Sequence, residues 1–123
     1  MKREILFRGK RMDNGKWEYG FLSWNDSPRK RSYHINNDVV YSETVGQFTG
    51  LTDKNGTKIF EGNIVKSWNS EYERPLICEY IHEYSCFAFI DKADYNNQYF
   101  WNFNDCSKSE VIGNVHDNPE LLK

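Results

Sequence analysis

The segment Lys2-Arg3-Glu4-Ile5-Leu6-Phe7-Arg8-Gly9-Lys10-Arg11-Met12-Asp13-Asn14-Gly15-Lys16-Trp17-Glu18-Tyr19-Gly20-Phe21-Leu22-Ser23-Trp24 decides the fold class. Two alternating runs, 2–12 and 16–24, flank Asp13-Asn14-Gly15. Asn-Gly between alternating runs is a strong hairpin signal, because both residues accept positive φ. With Asn14-Gly15 as a two-residue turn, Met12 lies opposite Trp17, Lys10 opposite Tyr19 and Arg8 opposite Phe21. Opposed residues share a face. One face then carries Leu6, Arg8, Lys10 and Met12 beside Trp17, Tyr19 and Phe21, and the other carries Ile5, Phe7, Gly9 and Arg11 beside Glu18, Gly20, Leu22 and Trp24. Gly9 opposes Gly20 in this register, and the missing side chains mark a bend or the close approach of another segment.

Turn chemistry recurs outward from this hairpin. Asn25-Asp26-Ser27-Pro28 reads as a loop. Strands follow at 31–35 and 38–41 around Asn36-Asn37, and another begins at Val45 and runs into Asp53-Lys54-Asn55-Gly56, a second Asn-Gly turn. Thr57 to Phe60, a tight Glu61-Gly62-Asn63 turn and Ile64 to Trp68 come next. Pro75 to Ile81 and Cys86 to Asp91 read as a hairpin around His82-Glu83-Tyr84-Ser85, and Gln98 to Phe103 and Glu110 to Val115 complete the strands. Asn118-Pro119 suits a helix start, with Asn as N-cap and Pro at the first helical position. No long amphipathic helix interrupts the pattern. The expectation is a mainly β fold (β-rich α+β), a small curled sheet or β-barrel built from hairpins, with a short C-terminal helix.

Composition fits one globular unit. The 123 residues suit a single domain spanning 1–123. The apolar fraction is only 38%, yet the aromatic fraction is 16%, enough large side chains for a compact core. The formal net charge is −2, which provides no global field for DNA or an anionic membrane, so any nucleic-acid contact must come from a local patch. The start, Met1 to Arg8, lacks the apolar run of a signal peptide, and no stretch approaches the ~20 apolar residues of a membrane helix. Cys78, Cys86 and Cys106, an odd set without a C-x-x-C pair, read as free thiols of a reducing cytosol. A cytoplasmic protein without membrane partners is expected.

Two segments carry a family resemblance. The first is Gly46-Gln47-Phe48-Thr49-Gly50-Leu51-Thr52-Asp53-Lys54-Asn55-Gly56-Thr57-Lys58-Ile59-Phe60-Glu61-Gly62-Asn63-Ile64-Val65. The second is Val111-Ile112-Gly113-Asn114-Val115-His116-Asp117-Asn118-Pro119-Glu120-Leu121-Leu122. They resemble the central and C-terminal signatures of the YopX family of phage and prophage proteins. Phe7-Arg8-Gly9-Lys10-Arg11 and Asn14-Gly15-Lys16-Trp17-Glu18-Tyr19-Gly20 fit one branch of it, while residues 23–43 and 67–106 are not matched. The resemblance implies a phage or prophage setting and brings no catalytic residues with it. One departure is Asn63, where the family usually has Asp. The motif itself reads as structural, with Gly50, Gly56 and Gly62 permitting turns and Leu51, Ile59, Ile64 and Val65 alternating into a core.

Chemistry-bearing constellations are sparse. Cys78, His82 and Cys86 form C-x3-H-x3-C, but one straight strand would spread them over about 27 Å, and a structural zinc needs a fourth ligand. No metal and no cofactor is expected. There is no G-x-S-x-G, no phosphate loop, and His34, His82 and His116 lie in unrelated segments, so no catalytic residue is assigned and the protein is expected not to be an enzyme. Three sets remain. Arg8, Lys10, Trp17 and Tyr19 share a strand face, where cations and rings can grip a nucleotide-like ligand by stacking and phosphate pairing. The same face also reads as an ordinary core face whose Arg and Lys stems pack on aromatics. Arg29, Lys30 and Arg31 can touch nucleic-acid phosphates, or form a solvated loop tip. Tyr99, Trp101 and Phe103 belong to an aromatic cluster that either forms an interface or is buried on both faces of a strand. The leading expectation is a non-catalytic binding module that contacts a host protein or assembles with itself into a homo-oligomer. Capture of a nucleotide-like ligand and nucleic-acid binding are the alternatives.

Overall fold

The computed structural model describes residues 4–66, 74–92, 99–100 (by backbone alone) and 108–122. The chain is mainly β and forms two compact units, Met1–Phe48 and Thr49–Lys123. Among the described residues the strands form three antiparallel sheets, none closed into a barrel, and the helical pieces are 3-10 turns. The C-terminal helix is one of these, Pro119–Leu122. Pro119 opens it as expected and the Asn118 carbonyl accepts the Leu121 N–H, while the Asn118 side-chain oxygen accepts the N–H of Asn114.

The first unit contains β1 (Phe7–Lys10), β2 (Trp17–Gly20), β3 (Leu22–Asp26), β4 (Arg31–Ile35), β5 (Asp38–Val40) and the start of β6 (Gly46–Thr52). The expected first hairpin is present with a different register. Phe7 pairs with Gly20, Arg8 with Tyr19, Gly9 with Glu18 and Lys10 with Trp17. The turn is therefore longer than the two-residue reading: Arg11 N–H donates to Lys16 O, and Gly15 N–H to Arg11 O. Gly15 has φ +71°, whereas Asn14 stays at negative φ and its side chain accepts the N–H of Lys16. Asn-Gly here supplies one left-handed residue to a longer loop rather than two to a tight turn. The slip relative to the expected register is two residues. Side chains alternate with period two, so each residue keeps its face.

The Asn36-Asn37 turn has both residues at positive φ, 51° and 74°, the form that joins tightly paired strands. Asn36 also reaches across to the corner between β2 and β3. Its amide nitrogen donates to Tyr19 O at 2.7 Å, its amide oxygen accepts the Phe21 N–H at 3.1 Å, and its backbone N–H donates to Phe21 O. A Cβ at Gly20 would overlap this amide, and one at Gly9 would press on Val40 at 3.0 Å. A bend or a close approach was the expectation for these glycines; both approach another segment closely, and each meets a different one. Gly20→Ala is expected to cost about 1–3 kcal/mol by displacing Asn36, seen as a lower midpoint in urea at unchanged slope. An unchanged midpoint would mean the corner relaxes freely.

The second unit contains the end of β6 with β7 (Lys58–Phe60), β8 (Asn63–Lys66), β9 (Pro75–Ile81), β10 (Cys86–Ile90), β11 (Tyr99–Phe100) and β12 (Glu110–Asn114). The last five form a sheet in the order β11-β10-β9-β8-β12. Ile59, Val65, Leu76, Cys78 and Phe89 form its main buried cluster, with Leu51, Phe87 and Val111 packed against it. Ile81, Ala88 and Ile90 form a second cluster. The β9–β10 register pairs Phe89 with Cys78 and Ile90 with Ile77, so the two clusters use opposite faces of one hairpin. A strand buried on both faces needs a continuous apolar run, and Leu76-Ile77-Cys78 and Ala88-Phe89-Ile90 are such runs.

Candidate functional site

The Arg8, Lys10, Trp17 and Tyr19 set sits together on the first hairpin, because the register change preserved its face. Its members are not equally open. Arg8 is only 6% exposed, and its guanidinium carbon lies 4.4 Å from the centre of the Trp17 ring. Lys10 Nζ is 5.6 Å from the same ring. Both cations are thus already engaged with the indole of their own chain, a cation–π arrangement that strengthens with burial. Lys10 is also fixed through its backbone: its N–H donates to Thr44 Oγ1 at 2.8 Å and its carbonyl accepts the Tyr41 N–H. Tyr19 is 47% exposed.

The basic run divides as well. Asp26 and Arg31 close the β3–β4 hairpin and pair at 2.7 Å. The side-chain hydrogen bond from Arg31 holds the Asp26 carboxyl below its ordinary value and raises the guanidinium in turn. Arg31 also stands 5.5 Å from the Trp24 ring. Arg29 and Lys30 are exposed at the loop. On the opposite face of the first hairpin, Arg11 binds Asp13 at 2.6 Å and approaches Glu18 and Asp38, each at 3.5 Å. That cluster is a solvated ion network, one cation among three carboxylates.

Of the late aromatic set, Tyr99 pairs through its backbone with Ile90. Trp101 and Phe103 lie outside the described residues. Cys78 and Cys86 project from opposite faces of the β9–β10 hairpin, because Cys78 is opposite Phe89 and Cys86 opposite Ile81. On opposite faces the two thiols do not converge on one point. Among the described residues no cluster of three or more His, Cys, Asp or Glu could hold a metal. No helix among them is long and apolar enough to cross a membrane.

Two features were not singled out from the sequence. One is the corner of the first unit, where Phe21 is 80% exposed and Trp24 54% exposed. Alternation alone had placed these rings on opposite faces of one continuing strand. Gly20 breaks that continuity, and the chain leaves β2 for β3 with Phe21 at the bend. The other is Asp53, 5% exposed. Its carboxylate accepts the N–H groups of Asn55, Thr57 and Val111 at 2.8–2.9 Å. Burial pushes this carboxyl up, but the three backbone donors outweigh it and hold it below its ordinary value. A carboxylate committed to three backbone donors is a structural clamp.

Comparison with known proteins bears on the fold and the family. A crystal structure of protein EF1440 from Enterococcus faecalis is similar over 99% of this chain and 100% of its own, with a TM-score of 0.59 at 22% identity. That likeness concerns the fold. No curated protein matches the sequence significantly. The family model described as YopX protein matches residues 6–123, which takes in both units and the segments between the two signatures. The chain belongs to the YopX protein family.

Proposed function

We propose that this chain is a non-catalytic binding module of a phage or prophage, working in the host cytoplasm by protein–protein contact. The observation that carries the reading is the aromatic corner of the first unit. Phe21, Trp24 and Tyr19 keep 80%, 54% and 47% of their surface open. Leaving large rings in water forgoes roughly 1.5–3 kcal/mol each, and grouped aromatics are enriched where proteins meet. The Phe21 backbone is gripped on both sides by Asn36, so its position is set before any partner arrives. Preorganised aromatic anchors lose little entropy on binding.

The alternatives have less support. A nucleotide-like ligand would have to displace Arg8 from Trp17 or bind with Lys10 and Tyr19 alone. Nucleic-acid contact has Arg29 and Lys30 to offer, while Arg31 is held by Asp26. The test compares the wild type with Phe21→Ser plus Trp24→Ser. The double variant should keep its melting temperature within a few degrees and lose at least about tenfold in self-association or in recovery of a host protein, since each hot-spot ring contributes about 1–2 kcal/mol. Unchanged binding of either kind would overturn the reading.

A further inference from the structure

β3 (Leu22–Asp26) is the terminal strand of the sheet β3-β4-β5. Its bonding pattern can be read from its ends. Ser27 and Lys30 exchange backbone hydrogen bonds, at 3.0 and 3.3 Å, and Asn36 N–H donates to Phe21 O. In an antiparallel pair, bonded and non-bonded positions alternate. Phe21, Ser23, Asn25 and Ser27 therefore turn their backbone groups toward β4. Leu22, Trp24 and Asp26 turn theirs outward. Among the described residues no strand pairs with that edge. The usual protections of an open edge are a lysine, a proline or an inward charge. β3 holds none of these, and its one charge, Asp26, is already paired with Arg31.

We propose that the β3 edge pairs with the β3 edge of a second copy of this chain, antiparallel, with the two-fold axis passing by Trp24. This rests on the protein-contact reading above and names its surface and partner. The open groups are backbone N–H and C=O repeated every second residue, about 6.8 Å apart, and an extended strand is the shape that matches them. The sequence of β3 is self-complementary about its middle. Leu22 of one copy meets Asp26 of the other, and Trp24 meets Trp24, so all outward groups are used in roughly six hydrogen bonds. The Trp24 pair stacks on one face. Ser23 lies opposite Asn25 on the other face, a hydroxyl beside an amide. No like charges face each other. The Arg29-Lys30 loops fall at opposite ends of the ribbon, about 20 Å apart, beyond a Debye length of about 8 Å. One strand pair is small beside the roughly 1,200–2,000 Å² of a stable interface. Association on the order of 10–100 μM is expected.

Sedimentation equilibrium of the full chain from about 1 μM to about 1 mM tests this. The weight-average mass should climb from the 14.7 kDa monomer toward twice that value. Asp26→Pro deletes one outward donor while leaving Trp24 and the bonds to β4 in place, and should weaken association at least about tenfold. Asp26→Asn removes the charge but keeps the donor, and should associate like the wild type. Trp24→Lys, which sets cations opposite each other, should weaken association at least as much. Monomer mass at every concentration overturns the proposal, as does undiminished association of Asp26→Pro or Trp24→Lys, which would place self-contact elsewhere. If the wild type stays monomeric while Phe21 and Trp24 are still required to retain a host protein, the inference falls and the wider reading stands.

Discussion

Asp53→Ala is expected to destabilise the second unit by about 3–4 kcal/mol at neutral pH. The carboxylate satisfies two donors within its own turn, Asn55 and Thr57, and one 58 positions away, Val111 at the start of β12. A hydrogen bond to a charged acceptor contributes about 1.5–3 kcal/mol, and stranding a buried donor costs about 1–3 kcal/mol. The terms overlap, so the total falls below their sum. Two neighbouring bonds, Lys54 N–H to Ser109 O and Asp53 N–H to Thr57 O, keep the turn partly in place without the carboxylate. The folded state holds this carboxyl below its unfolded value of about 3.9. Its contribution is therefore fully present above that value and fades as the pH falls through the lower, folded one. The gap between wild type and variant, measured by urea unfolding, should be flat from pH 8 to about 5 and close below about pH 4. A gap that persists undiminished at the acid end would show that the side chain acts by packing rather than by charge.

The opposite pH dependence is expected for Asn63→Asp. Asn63 is 3% exposed and uses both halves of its amide. Its oxygen accepts the Phe60 N–H at 2.6 Å, and its nitrogen donates to Gly113 O at 3.2 Å, joining the β7–β8 turn to β12. A carboxylate replaces the first contact but sets an oxygen against the Gly113 carbonyl. Burying charge in that position costs about 2–4 kcal/mol. A protonated acid could still donate, so the folded state raises the introduced carboxyl. Stability is then retained below about pH 3.9 and lost progressively as pH rises above it. Equal stability at pH 7 would mean that a local shift supplies a new donor.

Both positions lie inside the central signature, and the sequence pattern identified them only as turn residues. The reason is distance along the chain. Asp53 with Asn55 and Gly56 is recognisable as a turn because those interactions are local. Its bond to Val111, and that of Asn63 to Gly113, join segments about fifty residues apart, and no spacing rule reaches that far. The first hairpin shows the same limit. Alternation assigned every residue of β1 and β2 to its face, and those faces hold. Alternation repeats every two residues, so a two-residue slip leaves it unchanged, and only the observed turn bonds from Arg11 decide the register.

Taken by itself, the sequence determined that the chain is mainly β, where most turns lie and which residues share a face. These are encoded in side-chain periodicity and in the few residue types that tolerate positive φ, both of which are properties of neighbours. The resemblance to the YopX family rests instead on the two motif segments, 46–65 and 111–122. The tertiary structure decided that Arg8 is buried on Trp17 while Tyr19 on the same face stays open, that Phe21 sits at a corner, and that β3 ends its sheet. Burial and edge position depend on what packs against a strand. In this protein those neighbours come from Asn36, Val40 and β4, whose placement follows from three-dimensional packing rather than from any local pattern.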